Sequence, residues 1–341
     1  MATYRAVMLT KQGGPEVLET VELPLREPAP GEVRVRVRAC GAGATDILMR
    51  RGYYPYAPKL PFVQGYDVVG EVEAIGRGVT QVAVGDRVAA LAVWGGYAEM
   101  FYRGADELVR VPAGLDDAEV VALILNYATA YQMVYRVAKQ KAGETALVTG
   151  ANGGVGQALL ELLRLEGVTT YGAAGKRSHE LVRALGGIPI EGRDAPIDAN
   201  LRATLPAGVD AAYDALGGKF VAQCTRGTRR GGHVVGYGFS GAVGKDGKPS
   251  NAAAVRGLLR LYIGSKLAGR KTTMYGITAL YRKDKRPFLE DLPKLFALLA
   301  ANKIHPKISA RLPLLAAREA NERMEAGGVD GKIVLLRDVA P

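Results

Sequence analysis

The chain has 341 residues, with 45 Lys and Arg against 34 Asp and Glu, for a formal net charge of +11. That length holds two domains; no secretory signal is evident and no apolar stretch is long enough to cross a bilayer, so a cytoplasmic protein without a membrane span is expected. Only Cys40 and Cys224, and only His179, His233 and His305, are available as soft ligands, which argues against a structural zinc site or a disulfide framework. The basic residues are scattered, with short clusters such as Arg282–Arg286, so no nucleic-acid partner is expected.

From Tyr4 to about Val111 the chain is rich in short β-type runs: Tyr4–Leu9, Glu32–Ala39, Val68–Ile75 and Arg87–Leu91. Turn signals at Gly13-Gly14-Pro15, Pro28–Gly31, Gly76–Gly78 and Gly85-Asp86 separate them, a spacing that suggests a barrel-like β domain. Asp116–Lys139 reads as helix, with Asp116 as its cap. Strands then alternate with helices: Thr145–Thr149, Val168–Gly172, Ile188–Ile190, Val209–Asp214, His233–Tyr237 and a sixth at Thr272–Thr278. Such alternation predicts an α/β doubly wound parallel sheet. A Phe288–Asn302 helix, an Ile308–Leu314 strand, a short helix and a Lys332–Leu336 strand read as a return to the first domain. Residues 1–123 and 281–341 then make one domain and 124–280 the inserted one, with the site expected in the cleft between them.

The most specific motif is strand–turn–helix at Thr145–Leu165: TALVTG, ANGGVG, QALLELLRL. Ala151, Gly153 and Gly156 hold the three positions of the dinucleotide fingerprint, with Ala where the first glycine usually stands. A bare Gly153 lets backbone N–H groups approach a pyrophosphate, and Gly156 lets the helix sit close on its strand. Asn152, Gly154 and Val155 complete the turn. After the second strand, beyond Gly172, an NAD-binding protein places an acid against the ribose 2′-hydroxyl. Here Gly175, Lys176, Arg177 and Ser178 stand there, and the first acid is Glu180. Two cations without a carboxylate suit the extra phosphate of NADP(H).

Taken in order, ACGAGATD (39–46), RGYYP (51–55), QGYDVVGEV (64–72), VGDRV (84–88), GGYAE (95–99), NYATAY (126–131), ANGGVG, YDALGG (213–218) and GKIVL (331–335) give the chain a close resemblance to the zinc-free medium-chain dehydrogenase/reductases. The quinone oxidoreductase group, with its VAT-1-like branch, is the nearest match. The resemblance implies a GroES-like β-barrel domain plus an inserted Rossmann domain. Zinc-dependent relatives carry Cys and a His-acid pair where this chain has Gly43, followed by Ala44, and Tyr66 with Asp67, so no metal is expected. Quinone reductases usually have Asn at Gly43. Their 2′-phosphate set of Ser, Lys and Tyr corresponds here to Gly175, Ser178 and Gly192, leaving Lys176, Arg177 and Arg193 as substitutes.

By the same resemblance, Asn126 and Thr129 sit at the cofactor, Thr129 against the nicotinamide. Gly236 and Tyr237 border that ring, and Leu216 and Gly217 pass close to it. Tyr54 is the candidate to polarise or protonate a substrate, Asp46 matches a family acid, and Trp94, Tyr66 and Tyr127 are candidate aromatic walls. These point to an NADPH-dependent quinone oxidoreductase. An enoyl or enone reductase acting on an activated alkene is the alternative, and a non-catalytic NADPH-binding protein a third reading. Thr272–Thr278 is the expected pairing strand of a homodimer, and Gly241–Pro249 a candidate cover or partner contact.

Overall fold

The computed structural model describes residues 2–192, 196–238 and 259–338, without the side chains of residues 260 and 262. Arg193 and the segment Gly241–Pro249 lie outside the described residues. The chain divides into two compact units, Met1–Ala128 with Thr278–Pro341, and Thr129–Ile277.

The first unit begins with eight strands: β1 (Thr3–Leu9), β2 (Leu18–Pro24), β3 (Glu32–Ala42), β4 (Phe62–Val63), β5 (Asp67–Ile75), β6 (Arg87–Leu91), β7 (Met100–Gly104) and β8 (Val109–Arg110). β3 shows why: its alternation of valine and arginine has the two-residue period of a half-buried strand. Val33, Val35 and Val37 are buried, while Arg34 and Arg36 on the other face share Glu73. Asp116 caps the next helix, Asp117–Ala122, by accepting from the N–H groups of Ala118 and Glu119. The segment Asp116–Lys139, read as one helix, instead loosens into wide turns at Leu123–Tyr127 and Gln132–Ala138 and ends on a left-handed Lys139.

The second unit carries β9 (Thr145–Thr149), β10 (Thr169–Ala174), β11 (Ile188–Glu191), β12 (Val209–Asp214), β13 (Thr228–Gly236) and β14 (Lys271–Met274). All pair in parallel, in the order β11-β10-β9-β12-β13-β14. The order reverses between β9 and β12, and in open sheets of this kind ligands bind beyond the carboxyl ends of the strands at such a reversal. The helix Gly154–Leu165 is buried along most of its length, including Leu159, Leu160, Leu162 and Leu163. Each such leucine contributes about 1.5–3 kcal/mol relative to exposure. A second layer joins Leu147, Tyr171, Ile190, Leu201, Val221 and Val234. The sixth strand is shorter than its sequence suggests. β14 stops at Met274, Gly276 interrupts the run, and Thr278 lies in the helix Ile277–Lys283.

The chain re-enters the first unit at Thr278, and the helix Arg286–Ala300 and the strands β15 (Ile308–Pro313) and β16 (Lys332–Leu336) follow. β16 pairs antiparallel with β3, completing a sheet of order β15-β16-β3-β5-β6-β8, with β7 also on β3. A separate sheet has the order β2-β1-β4, and Ala6 bridges to Ala98.

Candidate active site

β9 delivers the chain to Gly150, whose φ of +62° turns it out of the sheet. A Cβ on Gly156 would stand 2.3 Å from the carbonyl oxygen of Gly150 and 2.8 Å from the Cα of Ala151, so only glycine lets the helix close on this turn. Ala151 is wholly buried and its N–H bonds to Ala173. The methyl that replaces the usual glycine is accommodated because the facing residue is Gly172, where a Cβ would lie 3.2 Å from that of Ala151. The carbonyl of Asn152 accepts from the Gln157 side chain at 2.7 Å.

Gly153 behaves differently. A Cβ there would meet only the Gly150 carbonyl, at 3.4 Å, so the protein's own packing does not demand a bare residue. It is the N-cap of the helix without a side-chain cap. The first-turn N–H groups of Gly154, Val155 and Gly156 find no acceptor among the described residues, and the dipole of the helix adds positive character there. Such unsatisfied donors can cradle an anion.

Beside it, at the end of β12, sits a residue that sequence reasoning passed over. Asp214 is wholly buried and accepts from Thr149 Oγ1 at 2.8 Å, Leu216 N at 3.0 Å and Gly217 N at 3.1 Å. Burial pushes its carboxyl up, and these donors oppose the shift. They hold the 215–218 turn, with Gly217 and Gly218 both left-handed, against Gly150. The available signal was YDALGG, an acid just ahead of two glycines, the composition of a side-chain-closed turn.

At the end of β10, Gly175 opens a tight turn in which the N–H of Ser178 bonds to its carbonyl. Lys176 and Arg177 are exposed there, and their side chains make no hydrogen bond or ion pair among the described residues. Ser178 is buried, so its hydroxyl is not offered to the surface in the way a 2′-phosphate ligand would be. Gly192 packs its backbone on Ala173 and Ala174.

Two buried hydroxyls of the second unit, Thr129 Oγ1 and Tyr237 Oη, have no partner among the described residues. A buried polar atom left unsatisfied is costly, and orphans at residues singled out for the nicotinamide side fit a ligand that would complete them. Asn126, in the first unit, is buried and its amide makes no hydrogen bond among the described residues. A Cβ on Gly236 would stand tightly against Leu261 and Met274, at 3.2 and 3.3 Å, while Gly217 is buried and Leu216 half-buried.

In the first unit, Tyr54 is half-buried and its hydroxyl lies 2.8 Å from Tyr66 Oη and 2.6 Å from Thr278 Oγ1. Tyr66 and Thr278 are themselves hydrogen-bonded and 1 % exposed. Burial raises the Tyr54 phenol, and hydrogen bonds from Thr278 and Tyr66 oppose that rise. Tyr66 and Tyr127 are buried and offer no open wall; half-buried Trp94 has the guanidinium groups of Arg103 and Arg282 5.7 and 5.6 Å from its ring centre.

Asp46 has another setting than a residue that touches substrate. Its carboxyl is fully buried, and Oδ2 accepts from Gly43 N at 2.9 Å, closing the first turn of the helix Ala44–Arg50. Burial and the neighbouring Asp67 charge raise it to about 7, with Lys332 opposing. Asp67 is satisfied by Gly41 N at 2.9 Å and by Lys332 Nζ at 2.7 Å. Where zinc relatives have ligands, Gly43 brings no side chain and the Tyr66 hydroxyl is engaged with Tyr54 and Thr278. Among the described residues no group of three or more His, Cys, Asp or Glu is placed to hold a metal ion. These residues do not fit a zinc site.

Comparison with known proteins bears on the fold and the family. Residues 29–139 match the alcohol dehydrogenase GroES-like domain, and 190–335 match a domain described as zinc-binding dehydrogenase. The quinone oxidoreductase of Lama guanicoe is 30% identical, over 97% of each chain. The chain belongs to the quinone oxidoreductase family of medium-chain dehydrogenase/reductases. It is therefore an oxidoreductase with the family's GroES-like and Rossmann-type domains. The crystal structure of the human synaptic vesicle membrane protein VAT-1 homolog-like protein superposes on this family member with a TM-score of 0.85, at 26% identity, covering 100% of both chains. A mycobacterial protein solved in complex with NADPH gives a TM-score of 0.84 at 27% identity, covering 97% of this chain and 99% of its own. No helix among the described residues is long and apolar enough to cross a membrane.

Proposed function

We propose that this chain is an NADPH-dependent quinone reductase. The observation that carries the reading is the bare turn Gly153–Gly156 at the reversal of strand order, together with exposed Lys176 and Arg177 one strand away. Among the described residues the N–H groups of Gly154, Val155 and Gly156 find no acceptor, and the side chains of the two cations no partner. The NADPH complex of a structural relative supports the choice of cofactor. The N–H groups of Gly154, Val155 and Gly156 hold the pyrophosphate, and Lys176 and Arg177 take the 2′-phosphate, with Arg193 as a further candidate. Thr129, Tyr237, Gly236, Asn126, Leu216 and Gly217 border the remainder.

Bound NADPH supplies a hydride, and the protein supplies alignment and exclusion of water. Tyr54 donates its hydroxyl hydrogen to the oxygen on which negative charge develops. A quinone needs little more assistance than that, which favours it over a thioester alkene. Two copies pair through β14, the exposed edge of the parallel sheet, and the protein works in the cytoplasm.

Steady-state NADPH oxidation with 9,10-phenanthrenequinone, 1,4-benzoquinone and crotonyl-CoA tests the reading. Turnover of the quinones with little on crotonyl-CoA is expected. The reverse preference would make the chain an enoyl reductase, and NADPH binding without any turnover would make it a non-catalytic binder.

A further inference from the structure

Three hydroxyls from distant parts of the first unit meet at one point. Tyr54 lies in the loop after the helix Ala44–Arg50, Tyr66 directly precedes β5, and Thr278 begins the chain's return, 224 residues after Tyr54. Each hydroxyl has one hydrogen to give and two lone pairs to receive. Tyr66 and Thr278 are 1 % exposed, and among the described residues either hydroxyl bonds only to the other and to Tyr54. Tyr54 alone reaches the surface.

Two arrangements satisfy all three groups. In a closed ring each hydroxyl donates to the next, and Tyr54 has no hydrogen left for a ligand. In an open arrangement Tyr54 directs its hydrogen outward and accepts from behind. Once Tyr54 has given up that hydrogen, its phenolate oxygen can accept from Thr278 and from Tyr66 together, at the 2.6 and 2.8 Å separations already present. Hydrogen bonds to an ionised oxygen are roughly twice as strong as neutral ones. The arrangement therefore favours the state of Tyr54 reached after proton transfer.

We propose that Thr278 and Tyr66 are positioning residues that make Tyr54 a proton donor, both hydroxyls donating to its oxygen as its own hydrogen leaves. The proposal rests on the reductase reading above. In the step, a hydride from NADPH adds to the acceptor, the O–H bond of Tyr54 breaks, and a new O–H bond forms on the acceptor oxygen. One hydride and one proton convert a quinone to its hydroquinone, and Tyr54 regains a proton from solvent at its exposed edge. Tyr66 also explains a substitution that distinguishes this chain from zinc-dependent relatives: where they keep an imidazole for the metal, it keeps a phenol that braces another phenol.

Thr278→Val keeps the shape and removes the hydroxyl. It is expected to lower kcat for a quinone about tenfold or more, the scale of a lost hydrogen bond to a charged group, with the Kd for NADPH unchanged. Thr278→Ser should recover most of the loss, and Tyr66→Phe should resemble Thr278→Val. In a Tyr54→Phe background Thr278→Val should cost nothing further. Unchanged kcat in both single variants, or a full additional loss in the Tyr54→Phe background, would overturn the proposal. If the wild type reduces no acceptor, the reductase reading fails and a second measurement decides this one. With fluorotyrosine placed at position 54, Thr278→Val should move its phenol ionisation to higher pH, and an unmoved ionisation would overturn the proposal.

Discussion

Two buried carboxyls, one in each unit, are held in opposite ways. Asp214 is surrounded by donors: one hydroxyl and two backbone N–H groups bind it, and its role is to shape the turn beside the anion cradle. Asp46 accepts from Gly43 N on one oxygen and, among the described residues, lacks a hydrogen bond within ordinary distance on the other. Tyr97 is near enough to oppose its shift weakly, and a second carboxyl is nearby. Burial raises both, but in Asp214 the donors oppose it, whereas in Asp46 the charge of Asp67 reinforces it. The same residue type thus acts as a scaffold when its acceptor capacity is filled and as a titrating group when it is not.

The largest effect expected from disturbing this contrast comes from the ion that offsets the acid pair in the first unit. Lys332→Met leaves Asp67 buried without its cation and should cost about 3–5 kcal/mol in urea unfolding. A loss below about 1 kcal/mol would show that Asp67 does not depend on that partner. Next, Asp214→Ala strands the N–H groups of Leu216 and Gly217 and leaves the Thr149 hydroxyl only a long 3.5 Å bond to the Tyr213 carbonyl. At about 1–3 kcal/mol for each unsatisfied buried group, a total near 3 kcal/mol is expected, with weakened NADPH affinity. Intact affinity would separate this turn from the cofactor site.

Asp46→Asn acts through pH. The folded carboxyl keeps its proton up to about 7, above the ordinary 3.8, so the native state binds the extra proton in that window. Stability from this group is therefore lost as pH rises through it. Wild-type Tm should fall between roughly pH 4.5 and pH 8, and the asparagine variant should fall less. Equal slopes would contradict the assignment. The smallest effect is a gain. At Gly43 a Cβ would find only ordinary contacts, the nearest at 3.6 Å, and the backbone is extended as an N-cap requires. Gly43→Asn should add a few tenths of a kcal/mol to stability. It also returns the amide that quinone reductases usually carry, so kcat/KM for a quinone should rise.

The units also differ in how far they could be read from sequence. The strands, glycine turn and helix of the Rossmann-type unit are local patterns, and β9 and β12 have the bounds that the apolar runs suggested. β2, β4, β7 and β8 escaped because two are only two residues long and all depend on pairing with distant partners for their pattern. The site followed the same rule. Gly153 and Gly156 announce themselves by spacing. Nothing near Asp214 announces Thr149, which lies 65 residues away, and nothing near Tyr54 announces Thr278. Groups that act by filling each other's hydrogen bonds become visible only when the fold brings them together.

The central claim is that the cradle at Gly153–Gly156, with Lys176 and Arg177, selects a phosphorylated dinucleotide. Titration calorimetry of the full chain with NADPH and with NADH tests it most directly. The expected result is binding of NADPH about tenfold or more tighter than NADH, with the preference lost in Lys176→Ala/Arg177→Ala and both nucleotides lost in Gly156→Ala. Absence of heat with either nucleotide, or equal affinities that the paired alanines leave untouched, would contradict it.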